Sequence, residues 1–401
     1  MPRYLYTAKS GPHKIIQGNI EAETEQEAVN KLTKTGCFPL SIEQENLSSR
    51  AGLFRLRKIS RKDIALFTRQ LSSLIESGVN VINGINIIAN QTSNKYLSAV
   101  LHDISAKIKG GKSLSQSIEA YPYLFSNLYS SIIGVGEASG NLNEALKRLS
   151  YFLEKQEEFK DSLRSSLTYP LFVLIVSIST VFILLVFVIP RLITMFSDMG
   201  QVLPLPTRIL ICASDFLHNY WAVISALIIV FIFIMRRISR TPQGRIVFDK
   251  IKLGLLIFGR IILKAEISRL TRTLSLLLSS GISIIQALDI SVSVVENQVV
   301  KREVLEFKEK IGSGLSLSRV FKDSGIFPEF VISILAIGEE TGSLERSLIR
   351  VADEYEQEVN RTVKDLTRLL EPVIILAMGL IVGFIVLSML LPIFQINLIV
   401  K

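Results

Sequence analysis

The chain has 401 residues, 49% hydrophobic and 20% charged, with a formal net charge of +9. That is too apolar for an ordinary soluble protein and too charged for a bundle of spans alone, so large wet segments joined to a few membrane spans are expected. Nucleic-acid binding is disfavoured by the placement of charge: 42 of the 45 basic residues fall in Met1–Arg164 and Arg236–Glu371, where acids nearly balance them (21 to 16 and 21 to 18).

Residues 1–45 read as a small polar module. Arg3–Thr7 and Lys14–Glu21 alternate weakly around the turn signal Ser10-Gly11-Pro12. Thr24 with Glu27 forms a capping box for a helix that stops at Gly36. Residues 46–59 are a basic linker with Arg50, Arg55, Arg57 and Lys58, either solvated or drawn to anionic lipid.

A helical unit is expected over 60–168. Ile64, Phe67, Leu71, Leu74 and Ile75 mark one helical face, and Ser77-Gly78 stops that helix. Further helices follow to Asn141 and Glu144, which cap a last helix running into an apolar segment at 169–190. The pattern returns about 200 residues later. Ser77-Gly78 is answered by Ser280-Gly281, and Ser113-Leu114-Ser115 by Ser316-Leu317-Ser318. Gly136-Glu137-Ala138-Ser139-Gly140 is answered by Gly338-Glu339-Glu340-Thr341-Gly342; Pro170 and Pro190 are answered by Pro372 and Pro392. One register change near Tyr121 and Gly325 keeps the rest aligned.

Three spans follow from hydropathy. Segments 169–190 and 372–392 are each bounded by prolines, and 217–236 carries Trp221 near one end and Arg236-Arg237 at the other. A loop is expected at 191–216, a basic linker at 237–262, a second helical unit at 263–371 and a tail at 393–401. The positive-inside rule puts both long segments in the cytoplasm and the loop and tail outside. The fold class is an all-α membrane protein: two repeated six-helix cytoplasmic bundles plus three transmembrane helices. Cys37 and Cys212 lie on opposite sides of the membrane or within it and cannot pair, and Met1–Thr7 lacks the apolar core of a signal peptide.

Chemistry is sought and not found. Gly110-Gly111-Lys112-Ser113 lacks the upstream glycine of a phosphate-binding loop, since Ala106 stands there. His13, His102 and His218 are far apart, and no cysteine cluster or serine-elbow motif occurs. No catalytic residue, cofactor or metal is expected. The candidates are acids and glycines. Glu137 and Glu339, with Gly140 and Gly342 at positive φ, either shape a helix–helix turn by accepting N–H bonds at the following helix start or form a contact with a partner. Glu371 either favours a helix start next to Pro372 or makes a buried polar contact between spans. Gly379 and Gly383 form a Gly-x-x-x-Gly that allows close helix approach.

The doubled units, three spans and Gly-Glu-x-(Ser/Thr)-Gly resemble the inner-membrane platform proteins of type II secretion and type IV pili over essentially the whole chain. Tyr4-x-Tyr6-x-Ala8, Gly18, Glu21-Ala22 and Ala28 fit the family's opening motif. Gly200–Arg208, Ser214–Leu217 and Pro392–Asn397 are similar to the type II secretion F protein in particular. The resemblance implies a non-enzymatic homo-oligomeric scaffold. Its implied partners are a cytoplasmic secretion ATPase (the E subunit), the L and M inner-membrane subunits and the pseudopilins. Some family members are thought to hold calcium between first units; Lys147 and Tyr151 on the matching face here imply no metal. Two other readings stand beside it: a pilus or competence platform on the same fold, and a two-repeat transporter, which three spans without a central charge disfavour.

Overall fold

The computed structural model describes residues 3–9, 15–22, 25–34, 38–44, 59–191 and 204–399. The Ser10-Gly11-Pro12 turn, Thr24, Gly36, Cys37, Arg50–Lys58 and Gly200–Leu203 lie outside the described residues. The chain divides into two compact units, Met1–Ser60 with Ile87–Asp103, and Arg61–Asn86 with Ile104–Lys401.

In the first unit, β1 (Arg3–Lys9) is the middle strand of an antiparallel sheet, flanked by β2 (Ile15–Glu21) and, after helix α1 (Glu25–Lys34), by β3 (Phe38–Gln44). The weak alternation in the sequence is therefore a real strand pair, and among the described residues this small sheet is the one addition to the helices. Pro39, which has no N–H, sits on the edge strand where β1 shifts register between Thr7 and Ala8. Ala8, Ala22 and Leu32 are buried.

Twelve helices carry the repeat. The first six are α2 (Arg61–Glu76), α3 (Val81–Gln91), α4 (Lys95–Lys109), α5 (Leu114–Glu119), α6 (Asn127–Ala138) and α7 (Leu142–Ile183). Then come α8 (Leu205–Ile238) and α9 (Pro242–Gly254). The second six are α10 (Phe258–Ser279), α11 (Ile284–Val292), α12 (Gln298–Gly312), α13 (Leu317–Asp323), α14 (Glu329–Glu340) and α15 (Leu344–Ile399). Corresponding turns use corresponding glycines in the left-handed region: Gly78 and Gly281 (φ 86° each), Gly111 and Gly314 (92° and 93°), Gly140 and Gly342 (71° and 63°). Ser113 and Ser316 cap α5 and α13, accepting from the backbone N–H of Gln116 and Arg319.

Three helices are long and apolar enough to cross a membrane, within Leu142–Arg191, Leu205–Ile238 and Leu344–Pro392. Two of them begin inside a helical bundle and run on without a break. The 42 residues of α7 and 56 of α15 extend roughly 60 and 80 Å.

The spans meet at the far ends of α7 and α15. Ile189, Leu210 and Ile385 form a buried cluster there. Residues 184–188 after α7 take the wider π turn, in which a backbone N–H reaches the carbonyl five residues back. In that register Pro190 has no N–H for Leu185, and the freed Leu185 carbonyl accepts from Ser214 Oγ at 2.5 Å. Pro392 likewise has no N–H for Ser388, whose carbonyl accepts from Thr207 Oγ1 at 2.5 Å. Both hydroxyl residues are buried on α8, seven residues and so about two turns apart. Backbone groups left unpaired in lipid cost several kcal/mol each, roughly, so these two bonds explain where α8 begins.

That corrects the sequence reading in three places. Residues 205–216, read as loop, are the first turns of α8, because their hydroxyls are spent on span carbonyls. The linker expected at 237–262 contains α9. Helix α15 continues through the expected tail to Ile399, since Pro392 loses only one ladder bond and Thr207 replaces it.

Candidate functional site

The Gly-Glu-x-x-Gly segments close α6 and α14, and their glutamate and both glycines each have a task. Glu137 Oε1 accepts from the backbone N–H of Leu114 at 2.6 Å; Oε2 accepts from the N–H and hydroxyl of Ser115 at 2.9 and 2.7 Å. Glu339 repeats this on the N–H of Leu317 and on the N–H and hydroxyl of Ser318. Each carboxylate thus clasps the N–H groups that have no intrahelical acceptor at the start of the preceding short helix, where the helix dipole also favours negative charge. The sequence reading placed these bonds at the following helix. The correct partner lies 23 residues upstream for Glu137 and Leu114, a distance that periodicity does not report.

The leading glycine lets the next helix approach. A Cβ on Gly136 would lie 2.5 Å from Ala145 Cβ, and one on Gly338 would lie 2.5 Å from Ser347 Oγ. The last glycine turns the chain at positive φ, as expected for Gly140 and Gly342. The clasp therefore ties α5 to α6, and the two glycines tie α6 to the helix that enters the membrane. The second copy does the same with α13, α14 and α15.

At the start of the spans, Tyr169 Oη donates to Glu371 Oε1 at 3.1 Å. The two residues precede Pro170 and Pro372 and so occupy the same position in the two repeats. Neither alternative for Glu371 is seen as expected: the helix runs through it from Leu344 to Ile399, so no helix starts there, and its contact with Tyr169 lies on the open surface of the protein rather than buried. Tyr169 was not singled out in the sequence, although its place before the matching proline is a signal that could have found it. Gly379 and Gly383 have nothing within 4 Å of where a Cβ would stand. The close approach expected of them is absent among the described residues, because the neighbouring spans contact α15 nearer its far end.

A larger network was also missed. Arg272 on α10, almost fully buried, donates from Nε to Glu356 Oε1 and from Nη2 to Asp353 Oδ1, both at 2.7 Å. Burial opposes its charge, and the Glu356 and Asp353 carboxylates outweigh that, so its pKa stands above the ordinary arginine value. It faces a cavity of about 430 Å³ between the repeats, lined also by Tyr129, Phe152, Lys160 and Glu296. Among the described residues no three His, Cys, Asp or Glu side chains converge as metal ligands would.

The family model described as type II secretion system (T2SS), protein F, matches residues 67–190 and again 270–392. The chain belongs to this family. The family's N-terminal domain matches residues 1–43, and the doubled match falls on the two repeats, each ending at the far proline of its span. A type IV pilus assembly protein PilC from Thermus thermophilus is 37% identical over 401 residues, covering 99% of this chain and 98% of that protein. PilC from Pseudomonas aeruginosa is 34% identical over 367 residues, covering 91% and 97%. A type II secretion system protein F from Vibrio cholerae is 31% identical over 401 residues, covering 99% of each. Both kinds of relative span the whole architecture, sheet, repeats and spans.

Proposed function

We propose that this chain is the inner-membrane platform of a filament-building machine, coupling a cytoplasmic ATPase to the lifting of pilin-like subunits out of the membrane. The observation that carries this reading is mechanical. Two bundles, each clasped by a glutamate, continue as single helices into the bilayer and meet at Tyr169–Glu371. A push on either bundle is delivered to a span without passing through a loop. The role asks for no bond-making chemistry, so the protein itself hydrolyses no ATP. In this reading it acts as a homo-oligomer with the ATPase, L-type and M-type subunits and pseudopilins. The 42 basic residues in the two long segments support a cytoplasmic place for both bundles, with the α7–α8 connection and the C-terminus periplasmic.

Type II secretion is the first reading of the pathway, on the similarity of Gly200–Arg208 and Pro392–Asn397 to the F protein. Type IV pilus assembly is the second, favoured by the higher identity to PilC proteins, 37% against 31%. Gentle isolation of the chain from native membranes, with its companions identified by mass, tests both. Recovery of a secretion ATPase with L-type and M-type subunits supports the first, and a pilus motor ATPase supports the second. Recovery of the chain alone, stabilised by a small solute, would overturn the platform in favour of a transporter.

A further inference from the structure

Helix α9 stands outside both stretches that match the family's repeated domain, and neither the clasp nor the span contacts explain it. It begins at Pro242, four residues after α8 ends at Ile238. Four residues reach about 14 Å at most, and the turn is tighter still, with the Thr241 N–H donating to the Ile238 carbonyl at 3.0 Å, so the start of α9 is held against the basic end of the second apolar helix. Its direction is fixed by tight turns at both ends. Thr241 caps it, accepting from Gly244 N at 3.1 Å, and a Cβ on Gly244 would strike the Ile238 carbonyl oxygen. At the far end a Cβ on Gly259 would strike the Leu253 carbonyl oxygen. One face is committed to the bundle: buried Asp249 accepts from Gln298 N at 3.0 Å at the start of α12, and Asn297 Nδ2 donates to the Asp249 carbonyl.

The other face is apolar and open. Ile246, Val247 and Ile251 on α9 are exposed, and so are Leu255 and Phe258 in the turn that follows it, with Leu256 between them 84% exposed. A run of large apolar side chains held outward on a fixed helix and the turn after it needs a cover. The charge around it says which. Between residues 236 and 260 there are seven Lys or Arg and one acid, and that acid is the buried Asp249. Arg240, Lys250 and Arg260 are exposed.

We propose that α9 and the Leu255–Phe258 turn form a lipid-binding surface. Val247, Ile251, Leu256 and Phe258 sit at the boundary of headgroups and acyl chains, and Arg240, Lys250 and Arg260 engage the phosphates of anionic lipid. The arrangement is that of an interfacial amphipathic helix, here anchored by a span on one side and by the second bundle on the other. It holds the second bundle at a set height above the leaflet, so that the bundle is braced by lipid as well as by α15.

The test uses the full chain in nanodiscs, with Cys37 and Cys212 replaced by serine and an environment-sensitive fluorophore on Leu256→Cys. In discs containing phosphatidylglycerol the probe is expected to emit to the blue and to be quenched by lipids carrying a nitroxide near the headgroup. The variant Arg240→Glu/Lys250→Glu/Arg260→Glu removes three attractions and should weaken retention of phosphatidylglycerol about a hundredfold, with the emission returning to the red. A probe that stays red and unquenched in anionic discs overturns the proposal. So does energy transfer between differently labelled chains sharing a disc, which would make the face an interface between copies.

Discussion

In the first repeat, Arg69 on α2 and Glu154 on α7 approach to 3.6 Å, with 61% of the arginine side chain in solvent. In the second, the corresponding Arg272 and Glu356 bond at 2.7 Å, Asp353 joins them, and the arginine is 4% exposed. The counterpart of Asp353 is Tyr151, which brings no charge. A second pair differs in the same direction: Asp63 is half-buried, whereas its counterpart Glu266 is buried, with Oε2 accepting from Glu296 N at 3.1 Å. The cause is visible one layer out. The α11–α12 connection lies over Glu266, and α9 holds it there through Asp249 and through Arg245, which reaches the Glu296 carbonyl. One duplicated unit has thus kept its clasp in both copies and buried its charges in only one. The clasp belongs to the fold of the unit; the buried network belongs to what the second copy is packed against.

The largest expected difference between the copies is at the arginines. Arg272→Met leaves Glu356 and Asp353 without their cation and should cost about 3 kcal/mol, the lower end for breaking a buried pair. Arg69→Met should cost less than about 1 kcal/mol, as for exposed pairs. Denaturant unfolding of the full chain in detergent micelles measures both, and equal losses would erase the contrast. The clasps should behave alike. Glu137→Ala and Glu339→Ala each strand two backbone N–H groups and should each cost about 2 kcal/mol, with insertion into membranes retained. A loss confined to one of them would mean that the clasp is not a property of the repeat.

Next comes the packing of the leading glycine. Gly338→Ala should destabilise by about 1 to 2 kcal/mol through overpacking, and Ser347→Gly should recover most of it by removing the struck atoms. The pair Gly136→Ala and Ala145→Gly should do the same in the first copy. Failure of rescue in both copies would show that the glycines serve something other than close approach.

The smallest effect is pH dependence. Burial pushes the Glu266 pKa up, against the lowering effect of Arg269 and of the Glu296 N–H. A carboxyl raised in the folded state binds its proton more tightly there than in the unfolded chain. It therefore adds stability below its ordinary value, and that increment is lost as pH rises through the raised one. Melting followed across this window should show the increment in the native chain and lose it in Glu266→Gln.

Much of this was legible in the sequence because it is local. Helix stops at Gly78 and Gly281, the matched Ser-Leu-Ser runs at 113–115 and 316–318 and the paired prolines are all written within a turn or two of where they act. The partners of Glu137 and Glu339 were not, since Leu114 and Leu317 meet them only through the packing of two helices. The start of α8 was misplaced because Thr207, Ser214 and Asp215 look like loop residues until the carbonyls freed by Pro190 and Pro392 are seen to need hydroxyls. Helix α9 is not legible because seven basic residues between 236 and 260, three of them in the helix itself, hide a 13-residue amphipathic pattern.

Hydrogen exchange at four amides tests the central claim, that one carboxylate clasp holds both copies and carries each bundle into its span. In the full chain in nanodiscs, Leu114 and Ser115 should exchange as slowly as Leu317 and Ser318. Glu137→Ala should release only the first pair, and Glu339→Ala only the second. Rapid exchange at either pair in the native chain, or release of both pairs by one substitution, would contradict two independent clasps.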